Sequence, residues 1–287
     1  MKLLLVASHP NEPALEALCT ARLWLENTGA ETEVASSDDL VLGHPVYLDL
    51  IDRVSTFDLV CAFGGDGTLL RAARVVAGTE VPLLGFNYGN AGFLAGATPD
   101  ALTEALSAFL AGEVVFEQRV MLEATALYAD GSQSRCSALN EVFVGRSDLG
   151  CSIHMDLSVN DEHLFDLRGD GTIIATATGS TAYALAAGGP LLTPGHRGLC
   201  VVPICPHPFA TPAIVTASND IIELAVHPHP KQHALVHVDG QLFNPIDADL
   251  VSLQVTKAPV GLTLVRYNTP DFYTRLAALF DEAHRAR

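Results

Sequence analysis

Phe63-Gly64-Gly65-Asp66-Gly67-Thr68 is the stretch on which the reading of this chain turns. The apolar run Asp58 to Phe63 leads into it, and a helix-like run, Leu69 to Ala77, leads out of it and stops at Gly78. A strand feeding a helix through a glycine-rich turn is the repeating unit of a parallel α/β sheet. The glycines let the backbone turn sharply and approach a ligand closely. The helix N-terminus beyond them offers unpaired N–H groups and a positive dipole end, which suits a polyphosphate. Asp66 adds a carboxylate that can orient a hydroxyl nucleophile and accept its proton. The plain structural alternative is a βα turn with a capping aspartate. The turn is neither a G-x-G-x-x-G fingerprint nor a phosphate loop of the G-x-x-x-x-G-K-[ST] kind, since no lysine follows.

The same alternation holds on both sides of the turn. Leu3 to Ala7 reads as a buried strand, and Pro13 to Asn27 as a helix with Leu15, Leu18, Ala21 and Leu25 at helical spacing, closing at Gly29. Trp24 on this helix reads as packing. Val34 marks a short second strand and Val81 to Phe86 the next. Thr98 as N-cap with Pro99 in the first turn opens a helix to about Leu110. After about Gly112 the texture changes. From Val114 to Val265 strand-like runs are separated by turns, most clearly Asp130-Gly131 and Asn160-Asp161, with one short helix near Thr181 to Ala186. The tail, Asp271 to Arg285, is an amphipathic helix with Phe272, Leu276, Leu279, Phe280 and Ala283 on one face, expected to pack back on the first domain. The fold class expected is an α/β N-terminal domain, a parallel sheet with flanking helices, followed by a β-rich C-terminal domain.

Composition narrows the function. The 287 residues carry a formal charge of −17, and 49% are hydrophobic. A real core is expected, and a nucleic-acid partner is not, because that would require a basic face. Acidic proteins can still hold a small phosphate with backbone N–H groups and a few arginines. The six cysteines show no C-x-x-C spacing, so reduced thiols are the simplest account. The opening run MKLLLVA is too short for a signal-peptide core or a membrane span. A cytoplasmic protein with no membrane partner is the expectation. His227, His229, His233 and His237 match no zinc spacing and read as loop histidines.

Two further stretches carry chemistry. Gly169-Asp170-Gly171, then Ala177-Thr178-Gly179-Ser180-Thr181-Ala182-Tyr183, then Gly188-Gly189-Pro190 gather small hydroxyl residues and a tyrosine among glycines and alanines. Such a backbone can press against a flat base while its hydroxyls bond to it; a helix cap by Thr178 or Ser180 explains only part of the cluster. Asn140-Glu141, opening the run Val142-Phe143-Val144, pairs an amide with a carboxylate, which can bond a ribose diol.

Taken together, GGDGT, the run Leu84-Gly85-Phe86-Asn87-Tyr88-Gly89-Asn90-Ala91-Gly92-Phe93-Leu94, Leu139-Asn140-Glu141-Val142, the TGSTAY segment with its trailing Gly-Gly-Pro, and Val238-Asp239-Gly240-Gln241 resemble the NAD kinase family. GGDGT alone is shared with lipid kinases and phosphofructokinases; the TGSTAY segment is more specific. The resemblance implies phosphorylation of the 2′-hydroxyl of the adenosine ribose of NAD. It implies ATP or polyphosphate as donor, Mg²⁺ carried by that donor, and a homodimer or homotetramer. It implies that residues 1–112 form the catalytic-loop and donor domain, rejoined by a helix over 270–287. Residues 113–269 then form the NAD-binding and oligomerisation domain. Asp66 matches the catalytic aspartate, Gly64, Gly65, Gly67 and Thr68 the phosphate-side loop, with Arg71 one turn on as an added positive charge. Asn140 and Glu141 match the pair on the ribose hydroxyls, and Arg168 and Asp170 match dinucleotide contacts. Thr178, Thr181, Ala182, Tyr183, Ala184, Leu185 and Ala186 match the segment around the adenosine, and Gln241 a late contact. The chain departs from the family's usual residues at Tyr88, Cys151, Ala177 and Thr211. The alternatives are a lipid or sugar kinase with the same GGDGT loop, or a non-catalytic dinucleotide sensor. The G-T-G-N-D motif of the lipid kinases is absent, and Asp66 is present.

Overall fold

The computed structural model describes the chain except residues 90–91, 149, 208–210, 230–232, 245–248 and 286–287. Asn90 and Ala91 of the motif quoted above therefore lie outside the described residues. So do the side chains of Leu279 and Ala283 on the last helix.

The chain opens with β1 (Lys2–Ala7), α1 (Glu12–Asn27), β2 (Glu31–Ser36), α2 (Pro45–Arg53), β3 (Leu59–Gly64), α3 (Asp66–Val76), β4 (Leu83–Asn87), α4 (Leu102–Ala111) and β5 (Val115–Arg119). There follow β6 (Leu122–Tyr128), β7 (Gln133–Ala138), β8 (Glu141–Arg146), β9 (Ile153–Val159), β10 (Glu162–Gly169), β11 (Gly171–Ala175) and α5 (Tyr183–Ala186). Next come β12 (Cys200–Ile204), β13 (Ile214–Val215), β14 (Ile222–Val226), β15 (Ala234–Val238), β16 (Gln241–Leu242) and β17 (Leu250–Lys257). The chain closes with β18 (Leu262–Arg266) and α6 (Phe272–Arg285). Two compact units result: Met1–Arg119 with Val260–Arg287, and Val120–Pro259.

The first unit is a six-stranded sheet of order β2-β1-β3-β4-β18-β5. Every pairing is parallel except β18 with β5. β1 and β3 are continuous apolar runs because the sheet is covered on both faces; Leu3, Leu4, Leu5, Leu59, Val60 and Phe63 are fully buried. α1 begins where the Asn11 side chain accepts from Ala14 N at 3.2 Å, and Gly29 at φ +83° follows its end. It buries Ala14, Leu18, Ala21 and Leu25. From β1 the chain winds to β2 on one side, and it resumes with β3 on the other. The winding reverses there, and α/β sheets bind ligands at the C-terminal ends of the strands beside such a reversal. Ala7 of β1 pairs with Phe63 of β3 at that end, immediately before the glycine turn.

Four points differ from the reading of the sequence. α2 is a helix that sequence patterning did not signal; its N-terminus is capped by the His44 ring, whose Nδ1 accepts from Val46 N at 3.4 Å. The helix expected from Thr98 is instead a 3₁₀ turn, Pro99–Ala101, followed by α4. α3 starts at Asp66 rather than Leu69, so the glycine turn supplies the helix's own first turn. The first unit also extends to Arg119 and resumes at Val260, because β5 and β18 pair with each other across the excursion of the chain.

The second unit holds two antiparallel sheets, β10-β9-β14-β17-β6-β7 and β13-β12-β11-β8-β15-β16. β6 alternates strictly between buried and half-buried residues, as a sheet with one covered face requires. Asn160 and Asp161, at φ +53° and +66°, make the tight turn between β9 and β10. The short helix appears as a 3₁₀ turn, Gly179–Thr181, and α5. Among the described residues no helix is long and apolar enough to cross a membrane.

Candidate active site

The site of the first unit forms around the Asp66 carboxylate. Gly64 permits its turn: a side chain there would run into Thr68, whose amide closes the turn on Gly65 O at 2.9 Å. Asp66 then stands in the first turn of α3, where the helix dipole favours a negative charge. Gly92 packs directly against the carboxylate, and no side chain would fit between them. Beyond Gly92, Phe93 N donates to Asp66 Oδ2 at 3.2 Å, and the Leu94 amide also faces the group. Oδ1 is buried and has no hydrogen-bond partner among the described residues. Burial pushes the Asp66 carboxyl above its ordinary range; the Phe93 and Leu94 amides, then Arg266 and Arg275, pull the other way without cancelling it. A carboxylate with one oxygen anchored and the other lacking a partner is suited to taking a proton from a hydroxyl.

The 93–95 loop is held from behind. Arg266 of β18 donates to Leu94 O at 3.1 Å, to Phe93 O at 3.4 Å and to Ala95 O, while its Nε pairs with Glu117 Oε2 at 2.5 Å. Arg275 of α6 donates to Phe93 O at 2.7 Å, and the Phe93 and Phe272 rings pack with centroids 6.0 Å apart. Arg119 pairs with the other Glu117 oxygen at 2.7 Å. Burial raises Glu117, but Arg266 and Arg119 outweigh it and hold the carboxyl below its usual range. Arg275 is lowered to about 10 by burial and then by Arg266 and Arg119. Arg71, expected as a phosphate-side charge, gives its Nη1 to Asp38 Oδ1 at 2.8 Å and Ser37 O at 2.9 Å. Arg266 and Arg275 act on the Asp66 charge.

The site of the second unit forms where β8 begins. The Asp239 carboxylate accepts from Leu139 N at 3.0 Å, Asn140 N at 2.8 Å and Glu141 N at 3.2 Å, so it fixes the Asn140-Glu141 corner. Both side chains are buried, and among the described residues Glu141 Oε2 has no hydrogen-bond partner. Burial, then the Asp239 charge, pushes Glu141 up to about 8. The TGSTAY backbone lies against this corner: a side chain at Gly179 would strike the Asn140 backbone. Thr176, which sequence reasoning passed over, ties the two together. Its hydroxyl donates to Leu139 O at 2.5 Å and accepts from Thr178 N at 3.1 Å and Gly179 N at 3.2 Å. Ser180 turns inward, its Oγ donating to Ala177 O at 2.7 Å and accepting from Leu192 N at 3.0 Å. Thr181 donates to Thr178 O at 3.0 Å.

Tyr183 is exposed and stands edge-on to Phe143, ring centroids 5.6 Å apart. With Glu141, His237 and Gly240 these two rings line a cavity of about 200 Å³. Ala184 is buried, Thr181, Ala182 and Leu185 are half-buried, and Ala186 is exposed. Gln241 pairs with Val238 across the Asp239-Gly240 turn, next to the corner. Asp170 pairs with Arg146 Nε at 2.8 Å, and Arg168, exposed, lines an open cavity with Cys151 and His154.

The profile of the ATP-NAD kinase N-terminal domain matches residues 44–114, and that of the ATP-NAD kinase C-terminal domain matches residues 139–266. The chain is 39% identical to an NAD kinase of Aromatoleum aromaticum over 228 residues, 79% of this chain and 74% of the relative. It is 33% identical to an NAD kinase of Photobacterium profundum over 276 residues, 96% of this chain and 94% of the relative. The fold resembles yeast NADH kinase complexed with NADH, at TM-score 0.85 and 21% identity, covering 98% of this chain and 87% of that one. It also resembles an NAD kinase from Archaeoglobus fulgidus in complex with ATP, at TM-score 0.74 and 24% identity, covering 99% of each.

Proposed function

The chain belongs to the NAD kinase family and phosphorylates NAD; from that premise we propose that Asp66 aligns the 2′-hydroxyl of the adenosine ribose and takes its proton as the phosphoryl group arrives from ATP. The observation that carries this reading is the Asp66 carboxylate itself, with Oδ2 held by Phe93 N and Oδ1 buried and, among the described residues, without a hydrogen-bond partner. Phosphoryl transfer needs positioning and charge neutralisation more than covalent help. Gly64, Gly65, Gly67 and Thr68 bring backbone N–H groups to the donor's phosphates at the start of α3.

A hard divalent ion takes oxygen ligands and would be held by the donor's own phosphate oxygens, leaving Asp66 Oδ1 for the hydroxyl proton. Such an ion, carried by the donor, supplies neutralisation of the phosphate charge. The chain's own part is to hold the hydroxyl and receive its proton at Asp66. A carboxyl raised by burial holds that proton better than an exposed aspartate does.

On the acceptor side, Asn140 and Glu141 hold the ribose hydroxyls, with Asp239 fixing their backbone. Glu141, raised to about 8, can offer a proton as well as accept one, which a diol requires. Thr178, Thr181, Ala182, Tyr183, Ala184, Leu185 and Ala186 surround the adenosine, Arg168 and Asp170 contact the dinucleotide, and Gln241 closes the set. The chain works in the cytoplasm as a homodimer or homotetramer; a light-scattering mass equal to the monomer would refute that assembly. The matches above give the lipid- and sugar-kinase readings no support.

The deciding experiment incubates the protein with NAD, ATP and Mg²⁺ and detects NADP with an NADP-specific dehydrogenase. NADP formation that vanishes in Asp66→Ala establishes the activity and its residue. Persistence of activity in that variant removes Asp66 from the role, and parallel reactions with NADH and polyphosphate define acceptor and donor.

A further inference from the structure

On one face of the second unit, away from every residue given a role above except Arg168, three metal-ligating side chains meet. β9 and β14 are antiparallel neighbours, and His227 N donates to His154 O at 2.9 Å, which makes His154 and His227 a cross-strand pair. Directly opposed residues share a face of the sheet, and so do residues two apart on one strand. Asp156 therefore stands beside His154 on the same face, and its cross-strand neighbour is the small Ala225. The two imidazoles stack with centroids 4.1 Å apart, and His227 Nε2 lies 2.8 Å from Asp156 Oδ1. One ligand atom from each of the three side chains falls within 4.8 Å of the others.

From this geometry we propose that His154, Asp156 and His227 form a binding site for one borderline-soft divalent transition metal ion, with zinc as the representative case. Four-coordinate zinc takes imidazole nitrogen and carboxylate oxygen at about 2.0–2.2 Å, and a three-ligand set leaves its fourth position to water. Small side-chain rotations bring the three atoms to that spacing, while the β-ladder keeps their Cα frame fixed. The hydrogen bond between His227 and Asp156 is replaced by two bonds to the metal, the imidazole proton moving to the other ring nitrogen. A route in exists: an open cavity of about 490 Å³ is lined by His154, His227, His229, Cys151 and Arg168. Arg168 stands opposite His154 on β10, but Asp166 stands opposite Asp156 and sets a second carboxylate against that positive charge. Nitrogen donors select zinc, nickel, cobalt or copper over magnesium, so the ion carried by the phosphoryl donor does not compete here.

The site is legible only in three dimensions. His154 and His227 are far apart in sequence, and the histidines from 227 to 237 show no zinc spacing among themselves. His233 in fact turns to Asp249, 2.9 Å away.

The test uses the full chain, stripped with a chelator and titrated with zinc chloride at constant pH against a chromophoric competitor, with magnesium chloride in excess. One zinc per chain is expected, bound equally well with and without magnesium. His154→Ala and His227→Ala are each expected to weaken it by roughly 10–100-fold or more, and His44→Ala in the first unit to leave it unchanged. Zinc should also raise the thermal midpoint of the parent but not of His154→Ala, which reads binding without reference to catalysis. Equal zinc affinity in the parent and both histidine variants overturns the site, as does the absence of saturable binding.

Discussion

Asp66 and Arg275 are linked through the backbone of one residue: Phe93 gives its N–H to the Asp66 carboxylate at 3.2 Å and its carbonyl to the Arg275 guanidinium at 2.7 Å. One partner comes from the first helical turn after the glycines and the other from the last helix of the chain. The two bonds sit on successive peptide units either side of the Phe93 Cα, so Arg275 braces the residue whose amide faces the carboxylate.

Removing the carboxylate isolates its role. Asp66→Asn keeps the shape and the contact with Phe93 but cannot take a proton. Its kcat should fall by about 10²–10⁴-fold, the usual worth of a general base, while NAD binding measured by calorimetry survives. Activity within a few-fold of the parent would falsify the assignment.

Arg275→Met should act on catalysis through position. Phe93 O loses a charged donor, but Arg266 remains on the loop, so the fold persists. A drop in kcat with KM for NAD little changed is expected, because the amide facing Asp66 is no longer held. If KM alone rises, the link between the two residues is not functional. Arg266→Met is the harsher change. It strips Phe93, Leu94, Ala95 and Glu117 of a buried charged partner, a loss typically worth about 3–5 kcal/mol, which denaturant titration can read.

Glu141 gives a pH signature. Its folded pKa of about 8 lies above the ordinary 4.5, so the folded state holds the proton more tightly than the unfolded chain does. Stability of the ligand-free protein must then fall as pH rises between those two values, by up to about 1.4 kcal/mol per pH unit from this group. Glu141→Gln should flatten that slope and raise the thermal midpoint at pH 8 more than at pH 5. NAD should bind it more weakly if the carboxyl holds the ribose. A slope unchanged in the variant would mean that another group sets it.

Thr176→Val tests the corner beneath the TGSTAY segment. The substitution keeps volume but leaves the Thr178 and Gly179 amides and the Leu139 carbonyl without their partner. Each buried group left unsatisfied costs about 1–3 kcal/mol. Both the unfolding midpoint and NAD affinity should fall; Thr176→Ser, which retains the hydroxyl, should restore most of each.

What the sequence made legible was local. The glycine turn, its place between strand and helix, and the passage from α/β to β texture all follow from spacing within a few residues. Arg266 and Arg275 escaped because nothing near them in sequence says which carbonyls they reach; only the closure of β18 and α6 onto the first sheet brings them to Phe93. Arg71 was the cation one turn after Asp66, but Asp38, from the segment after β2, engages it first. Thr176 was hidden among similar hydroxyls, and its importance lies in three backbone partners that no pattern reveals. α2 was missed because a histidine, not one of the usual capping residues, begins it.

The pairing of β5 with β18 also bears on the order in which the protein is built. Synthesis delivers all of residues 120–259 between these two neighbouring strands. Until Leu262–Arg266 leaves the ribosome, β4 presents an open edge and the arginines that brace Phe93 do not yet exist. The nascent chain therefore carries Asp66 unframed through most of translation. A stall within the inserted unit would leave a four-stranded sheet with an open β4 edge, prone to pairing with another chain.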